Sequence, residues 1–302
     1  MPRESLLVKV RARMAIHVRR PTHHPLEGEY PSVHRGRSME FDDLREYVLG
    51  DNVKDIDWKA TARAGRPLVK RYVAMRRHAV LLVADTGRGM AALADAESTK
   101  RDVAVLAAGL VGHAALRHGD SVGLLAGPTR DGSLVRRPFG RGEAHLERVL
   151  RSLHDAVDAT GPGSRLRALL DEVARRYRRR LIVVVLADDV DLAASDEQLL
   201  RRLAMQHELL WCTFGDAAIT DPALGDRRLH VVGTPATVPA YLRAGGALHD
   251  DLLQVAAARE RDTQALLARC GAAAVRLAGE AEVVGAVLEL LDRQRLFGRL
   301  RR

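Results

Sequence analysis

At 302 residues the chain has room for one large α/β domain with an appendage, or for two modest domains. Its longest apolar stretches, Leu181 to Ala187 and an interrupted run from Val103 to Leu116, fall short of the roughly 20 residues of a membrane helix. Aromatics are only 4% of the chain, so the core must be built from Ala, Leu and Val, and the net charge of +9 by itself invites a phosphate backbone as partner. Only five of the 48 basic residues are lysines, however, so arginine is the default surface cation, and no basic stripe carries the interleaved aromatics that stack on bases.

The first predicted element is an amphipathic helix from about Ser5 to Val18. Lys and Arg interrupt its apolar pattern, unlike the continuous stretch of a signal peptide, so a cytoplasmic location without a membrane span is expected. The turn that follows, RPTHHPLEGEYP, cannot propagate a helix. His23, His24 and His34 lie in or near it without i,i+4 spacing or acidic neighbours, and read as solvated loop histidines rather than zinc ligands. Next comes a dense run of acids, bases and aromatics from Arg35 to Tyr72.

From His78 onward the pattern predicts a strand (Ala79 to Ala84), a helix (Ser98 to His118), a hairpin (strands Ser121 to Ala126 and Ser133 to Pro138) and helices at Glu143 to Val157 and Ser164 to Tyr177. The second half adds a strand at Leu181 to Ala187, a helix at Ser195 to Met205, a strand at Glu208 to Phe214 and a short strand at Arg228 to Val232. A long helix from about His249 to Arg269, a strand at Ala273 to Leu277 and a helix from Glu280 to Gln294 close the chain. Such alternation predicts an α/β fold: an open, mostly parallel sheet with helices on both faces, the apolar runs AVLLVA and LIVVVLA lying adjacent and parallel at its centre. The hairpin belongs at a sheet edge, turned by Gly127, Pro128 and Gly132. The cluster RRYRRR closes a helix, where cations suit the dipole, and Cys212 and Cys270 read as buried small hydrophobes rather than a disulfide or metal pair.

Ligands of open α/β sheets bind beyond the carboxyl ends of the strands. Three loops there carry Asp85-Thr86-Gly87-Arg88-Gly89-Met90, Gly161-Pro162-Gly163-Ser164 and Asp188-Asp189. Two carboxylates and a hydroxyl form an oxygen set of the kind Mg²⁺ takes. N-capping by Ser164 and turn initiation by the aspartates account for the same residues, and spacing does not separate the two readings.

Strand-Asp-Thr-Gly-x-Gly, then Gly-x-Gly-Ser, then strand-Ala-Asp resembles the three loops of the metal-ion-dependent adhesion site of a von Willebrand factor A domain. Upstream, Gly36, Glu40-Phe41, Leu44-Arg45-Glu46-Tyr47, Gly50-Asp51, Lys54-Asp55-Ile56-Asp57-Trp58 and Ala62-Arg63 are similar to the signature of the bacterial family called domain of unknown function 58. The likeness covers roughly Gly28 to the C-terminus. It implies a von Willebrand A-like domain over residues 78–302. To this is added an N-terminal appended segment, residues 1–77, in which the first helix and the signature run pack on the main domain. It also implies a MoxR-type AAA+ ATPase as partner, since such proteins are commonly encoded together.

The resemblance carries Asp85, Ser164 and Asp188 into the metal position, with Thr86 and Asp189 adjacent but not equivalent. Gly87 and Gly89 stand where a full site has two hydroxyl ligands, which implies a degenerate site with weak Mg²⁺ at most, and serines at 87 and 89 would restore the set. Two carboxylates about 5 Å apart repel by roughly 3 kcal/mol at an effective dielectric of about 20. Arg88 is one candidate to offset them, and a solvent-facing loop cation is its plainer reading. Asp85, Arg88, Ser164, Asp188 and Asp189 together form the expected partner-binding face.

The Arg35 to Tyr72 run shows no nucleophile and base poised together. Ion pairs and helix caps, with Phe41, Tyr47, Ile56 and Trp58 buried beneath, explain its composition, and a partner-docking surface is the alternative. Gly87-Arg88-Gly89-Met90-Ala91-Ala92 matches a dinucleotide fingerprint, but Asp85 would face the pyrophosphate and the next strand, SVGLLAG, ends without a ribose-binding acid. The sequence therefore points away from an enzyme and from a cofactor, toward a protein-interaction or scaffold module. Nucleic-acid binding and, last, a dinucleotide-binding enzyme are the alternatives.

Overall fold

The structure, a computed structural model, describes residues 5–18, 39–48, 51–74, 78–189, 192–243 and 247–300; His23, His24 and His34 lie outside the described residues. The chain divides into two units, residues 1–21 with 78–302, and residues 22–77. In chain order the elements are α1 (Leu6–Val18), β1 (Met39–Glu46), α2 (Trp58–Ala64), β2 (Leu68–Ala74), β3 (Ala79–Asp85), α3 (Lys100–Arg117), β4 (Ser121–Gly127), β5 (Val135–Gly140), α4 (Glu143–Ala156) and α5 (Leu166–Arg176). They continue with β6 (Ile182–Asp188), α6 (Glu197–Gln206), β7 (Glu208–Phe214), α7 (Ala240–Arg243), α8 (Ala247–Cys270), β8 (Ala273–Leu277) and α9 (Val283–Leu300).

The larger unit is an open six-stranded sheet of order β5-β4-β3-β6-β7-β8. All neighbours are parallel except β5, which turns back antiparallel on β4 at the edge, as the Gly- and Pro-marked turn predicts. The two apolar runs lie side by side at the centre, Leu82 of β3 paired with Val184 of β6. Alternation along β3 divides its side chains between two cores. Val80, Leu82 and Ala84 join the layer that holds α1, α3, α4 and α9, whereas Ala79, Leu81 and Val83 join the layer that holds α5, α6 and α8. A strand buried on both faces needs apolar residues at every position, which is why it reads as a continuous run.

The helices show how local signals meet tertiary ones. α3 opens with a capping box in which Thr99 accepts from the Asp102 N–H and Asp102 accepts from the Thr99 N–H. α4 buries Leu146, Val149, Leu150 and Leu153 on one stripe, each contributing about 1.5–3 kcal/mol of transfer free energy. α1 has no acid in its first turn; its free N–H groups at Leu6 and Leu7 donate instead to Glu147 of α4 at 3.1 and 2.9 Å. Lys9 and Arg13 both reach Glu280, each at 2.6 Å. Gly109 of α3 lies under Val10, where a Cβ would collide, so α1 belongs to this unit through close backbone approach as well as charge.

One predicted strand is absent. Residues 228–232 form only an isolated bridge, His230 to Thr237, closed by Val231 N–H to Ala236 O and Val238 N–H to Leu229 O, both 2.9 Å. Gly233, at φ +76°, folds the segment back on itself instead of delivering it to the sheet. Both cysteines are free and buried, and burial alone pushes the Cys212 thiol up to about 12.

In the smaller unit β1 and β2 pair antiparallel with an irregularity between Phe41 and Asp43. Asp57 caps α2 by accepting from the N–H groups of Lys59 and Ala60 at 3.1 and 3.0 Å, and Gly65 ends it at φ +68°. Ile56 bridges to buried Val69. Trp58 corrects the sequence reading: it is 66% exposed rather than buried. The cap at Asp57 fixes Trp58 at the first helical position, where its ring projects to solvent. Tyr47 and Ile56 are half-buried, and the side chain of Phe41 lies outside the described residues.

Candidate functional site

The three predicted loops do converge at the carboxyl ends of β3 and β6. Asp85 ends β3 fully buried, its Oδ1 accepting from the Gly87 N–H at 2.9 Å. The chain then runs through a 3₁₀ turn at Arg88–Ala91, tied to the Ser164 loop by Arg88 N–H to Pro162 O at 2.9 Å. Ser164 has a dual role that sequence spacing leaves open: its hydroxyl accepts from the Leu166 N–H at 3.3 Å, at the start of α5, and also interacts with the Asp85 carboxyl. Burial pushes Asp85 above the usual carboxylate range. The Ser164 hydroxyl and Gly87 N–H oppose the shift, and the neighbouring Asp188 charge adds to it. The Asp85 Oδ2 is buried without a hydrogen-bond partner.

The group that offsets these carboxylates is Lys100, not Arg88. Arg88 is exposed. Lys100, at the first turn of α3, is only 2% exposed, and its Nζ lies 2.5 Å from Oδ1 of Asp188 and 2.5 Å from Oδ1 of Asp216, the latter just beyond β7. Lys100 is aimed there by its backbone, whose N–H donates to Ala92 O at 2.9 Å, and by the Thr99 cap behind it. Asp188 Oδ1 also accepts from the Asp189 N–H at 2.8 Å.

The side chains of the adjacent residues point away from that cluster. Asp189 turns toward β8 and pairs with Arg276 at 2.6 Å. The Thr86 hydroxyl is buried and donates to Pro128 O at 2.8 Å. Lys100 and Asp216 escaped the sequence reading. A usable signal exists, because Lys100 is the sole lysine between residues 78 and 302 of a chain that otherwise uses arginine there.

This donor set does not fit a divalent ion. Of its two carboxylates Asp188 is already bound to an ammonium, which it shares with Asp216, and among the described residues no group of three or more His, Cys, Asp or Glu is arranged to hold a metal. Restoring hydroxyls at 87 and 89, the simple repair suggested by the loop pattern, meets a steric obstacle. A Cβ on Gly87 would lie 2.6 Å from the Ser164 backbone N, and one on Gly89 would collide with the Asp188 carboxylate. These glycines are where the first loop touches the other two. A cavity of about 630 Å³ between β5 and α4 is lined by none of Asp85, Lys100, Ser164 or Asp188.

Fold and site together define an α/β domain with an open, mostly parallel sheet, one antiparallel edge strand and three loops that meet at its carboxyl end. The chain belongs to the family described as Protein of unknown function DUF58, which matches residues 43–236 and so spans the smaller unit's second half and the site loops. Uncharacterized proteins of Mycobacterium bovis and Mycobacterium tuberculosis are each 28% identical over 249 residues, covering 82% of this chain and 77% of theirs. Among solved structures, an aerotolerance-related membrane protein from Bacteroides fragilis superposes with a TM-score of 0.43 at 13% identity, covering 72% of this chain and 99% of that one. A von Willebrand factor type A protein from Catenulispora acidiphila gives 0.41 at 12% identity, covering 74% and 44%. Among the described residues of the present chain no helix is long and apolar enough to cross a membrane.

Proposed function

We propose that this protein is a non-enzymatic, cytoplasmic adaptor that docks a protein partner on the face made by Arg88, Ser164, Asp188 and Asp189, with Asp85, expected on that face from the sequence, buried beneath it instead, and that this partner is a MoxR-type AAA+ ATPase. The observation that carries the reading is the arrangement at the strand ends. Three loops meet there, and the hydroxyl of Ser164 is committed to the Leu166 N–H at the start of α5 and to the buried Asp85 carboxyl. We read such a convergence of loops as a binding surface rather than an acyl- or phosphoryl-transfer site. Membership of the family supports the ATPase as partner, through the association that the family resemblance implies. No cofactor and no nucleic acid enter the proposal.

The test is direct mixing of the purified chain with a purified MoxR-type ATPase of its own organism, followed by size-exclusion chromatography with and without EDTA. Co-elution that persists in EDTA and weakens on charge reversal at exposed Arg88 supports the reading. Separate elution under all conditions sinks it.

A further inference from the structure

We propose that Lys100 is the built-in cation of this site: its ammonium, clamped between Asp188 and Asp216, takes the part that a divalent ion plays in a complete adhesion site. Four observations converge on it. The Nζ is 2.5 Å from a carboxylate oxygen on each of two different strand ends, a distance at which a charge-assisted bond is strong. The side chain is 2% exposed, whereas Lys9 is 47% exposed and Lys54 and Lys59 are also exposed. A buried lysine has little reason to persist in a chain whose surface cation is arginine unless a compact point charge is required, since a planar guanidinium fork fills more space. Finally, Gly89 lies against Asp188 where a hydroxyl ligand would need room, so the carboxylate is drawn onto the loop that an ion would otherwise share.

The consequence is a site that already holds a cation supplied by the chain itself. A metal ion would have to displace a tethered ammonium whose local concentration is set by the fold. A tethered partner outcompetes a free one unless the latter binds far more tightly. The site would then hold one shape in any metal concentration, and docking on this face would be constitutive rather than switched by Mg²⁺ or Ca²⁺. The inference concerns what fills the site, not which protein docks on it, so its failure and that of the adaptor reading are distinguishable.

Acetylation of the wild-type chain with an amine-selective ester, read by peptide mass spectrometry, tests it without any substitution. Lys9, Lys54 and Lys59 are expected to react first and Lys100 at least about tenfold more slowly, because it reacts only through local opening, with no change on adding millimolar Mn²⁺. Labelling of Lys100 as fast as Lys9, or labelling accelerated by Mn²⁺, overturns the proposal. In parallel, Mn²⁺ binding followed by electron paramagnetic resonance should be absent at micromolar ion in the wild type and gained in Lys100→Ala, then lost again in Lys100→Ala with Asp188→Asn. Micromolar binding by the wild type, or a folded Lys100→Ala that binds Mn²⁺ no better than wild type, also overturns it. If Lys100→Ala does not fold, the wild-type labelling and titration decide the question.

Discussion

Two regions of this molecule are rich in charge and use it in opposite ways. In the smaller unit Arg45, Asp51 and Asp57 solve local problems. Arg45 pairs with Asp51 and holds it below the usual carboxylate range, Asp51 also accepts from the Val48 N–H, and Asp57 caps α2. Exposed pairs of that kind are screened and contribute little. At the carboxyl end of the sheet a single buried lysine answers two carboxylates, Asp188 at the end of β6 and the largely exposed Asp216 just beyond β7. Charge density along the chain is thus a poor guide to where a charge is shielded from water and its partners matter most.

The sharpest way to break that comparison is Lys100→Met, which keeps the stem and removes the charge. It leaves Asp188 without its cation and should lower stability by about 3 kcal/mol, the scale for breaking a buried pair from one side, measured by denaturant unfolding. A loss below about 1 kcal/mol, no larger than that of a surface pair, would make the two regions alike.

Next in size is Gly87→Ala. Its new Cβ would press on the Ser164 backbone at 2.6 Å, and overpacking of this kind costs about 2 kcal/mol. A melting temperature equal to that of wild type would show that the loops part easily and that hydroxyl ligands fit there after all.

The effect of pH should be smaller and confined to the main unit. His207 is fully buried with neither ring nitrogen hydrogen-bonded, and burial holds its imidazole below the ordinary value, with Arg180 adding to the shift. The unfolded chain takes up the proton first, so stability is lost as pH falls from about 6.5 toward the lower folded value. His207→Leu, which keeps the backbone bond to Leu203 O, should flatten that part of the stability curve between pH 7 and 5. An unchanged slope would place the proton elsewhere.

The smallest effect is expected at the residue that looks most structural in the sequence. Trp58→Ala should change stability by no more than about 0.5 kcal/mol, as for other exposed positions, because the ring is 66% exposed. A loss of several kcal/mol would mean that the ring is covered in solution and that the signature run is an interface.

The sequence alone determined the layered architecture. Ala79 to Ala84 and Leu181 to Ala187 read as central strands, because apolar residues at consecutive positions need cover on both faces, and the turn at Gly127, Pro128 and Gly132 reads as a reversal at an edge. It also brought Asp85 and Asp188 to one place, since loops after neighbouring parallel strands share the same end of the sheet; Ser164, between two helices, follows no such rule. What only the tertiary structure decided was everything that depends on partners distant in the chain: Glu147 closing the start of α1, the exposure of Trp58, and the pairing of Lys100 with Asp188 and Asp216, 88 residues away in the first case. Periodicity reports which face of an element is apolar, a property of consecutive residues. Which buried charge meets which depends on how three loops from separate strands come together, and no local pattern encodes that meeting.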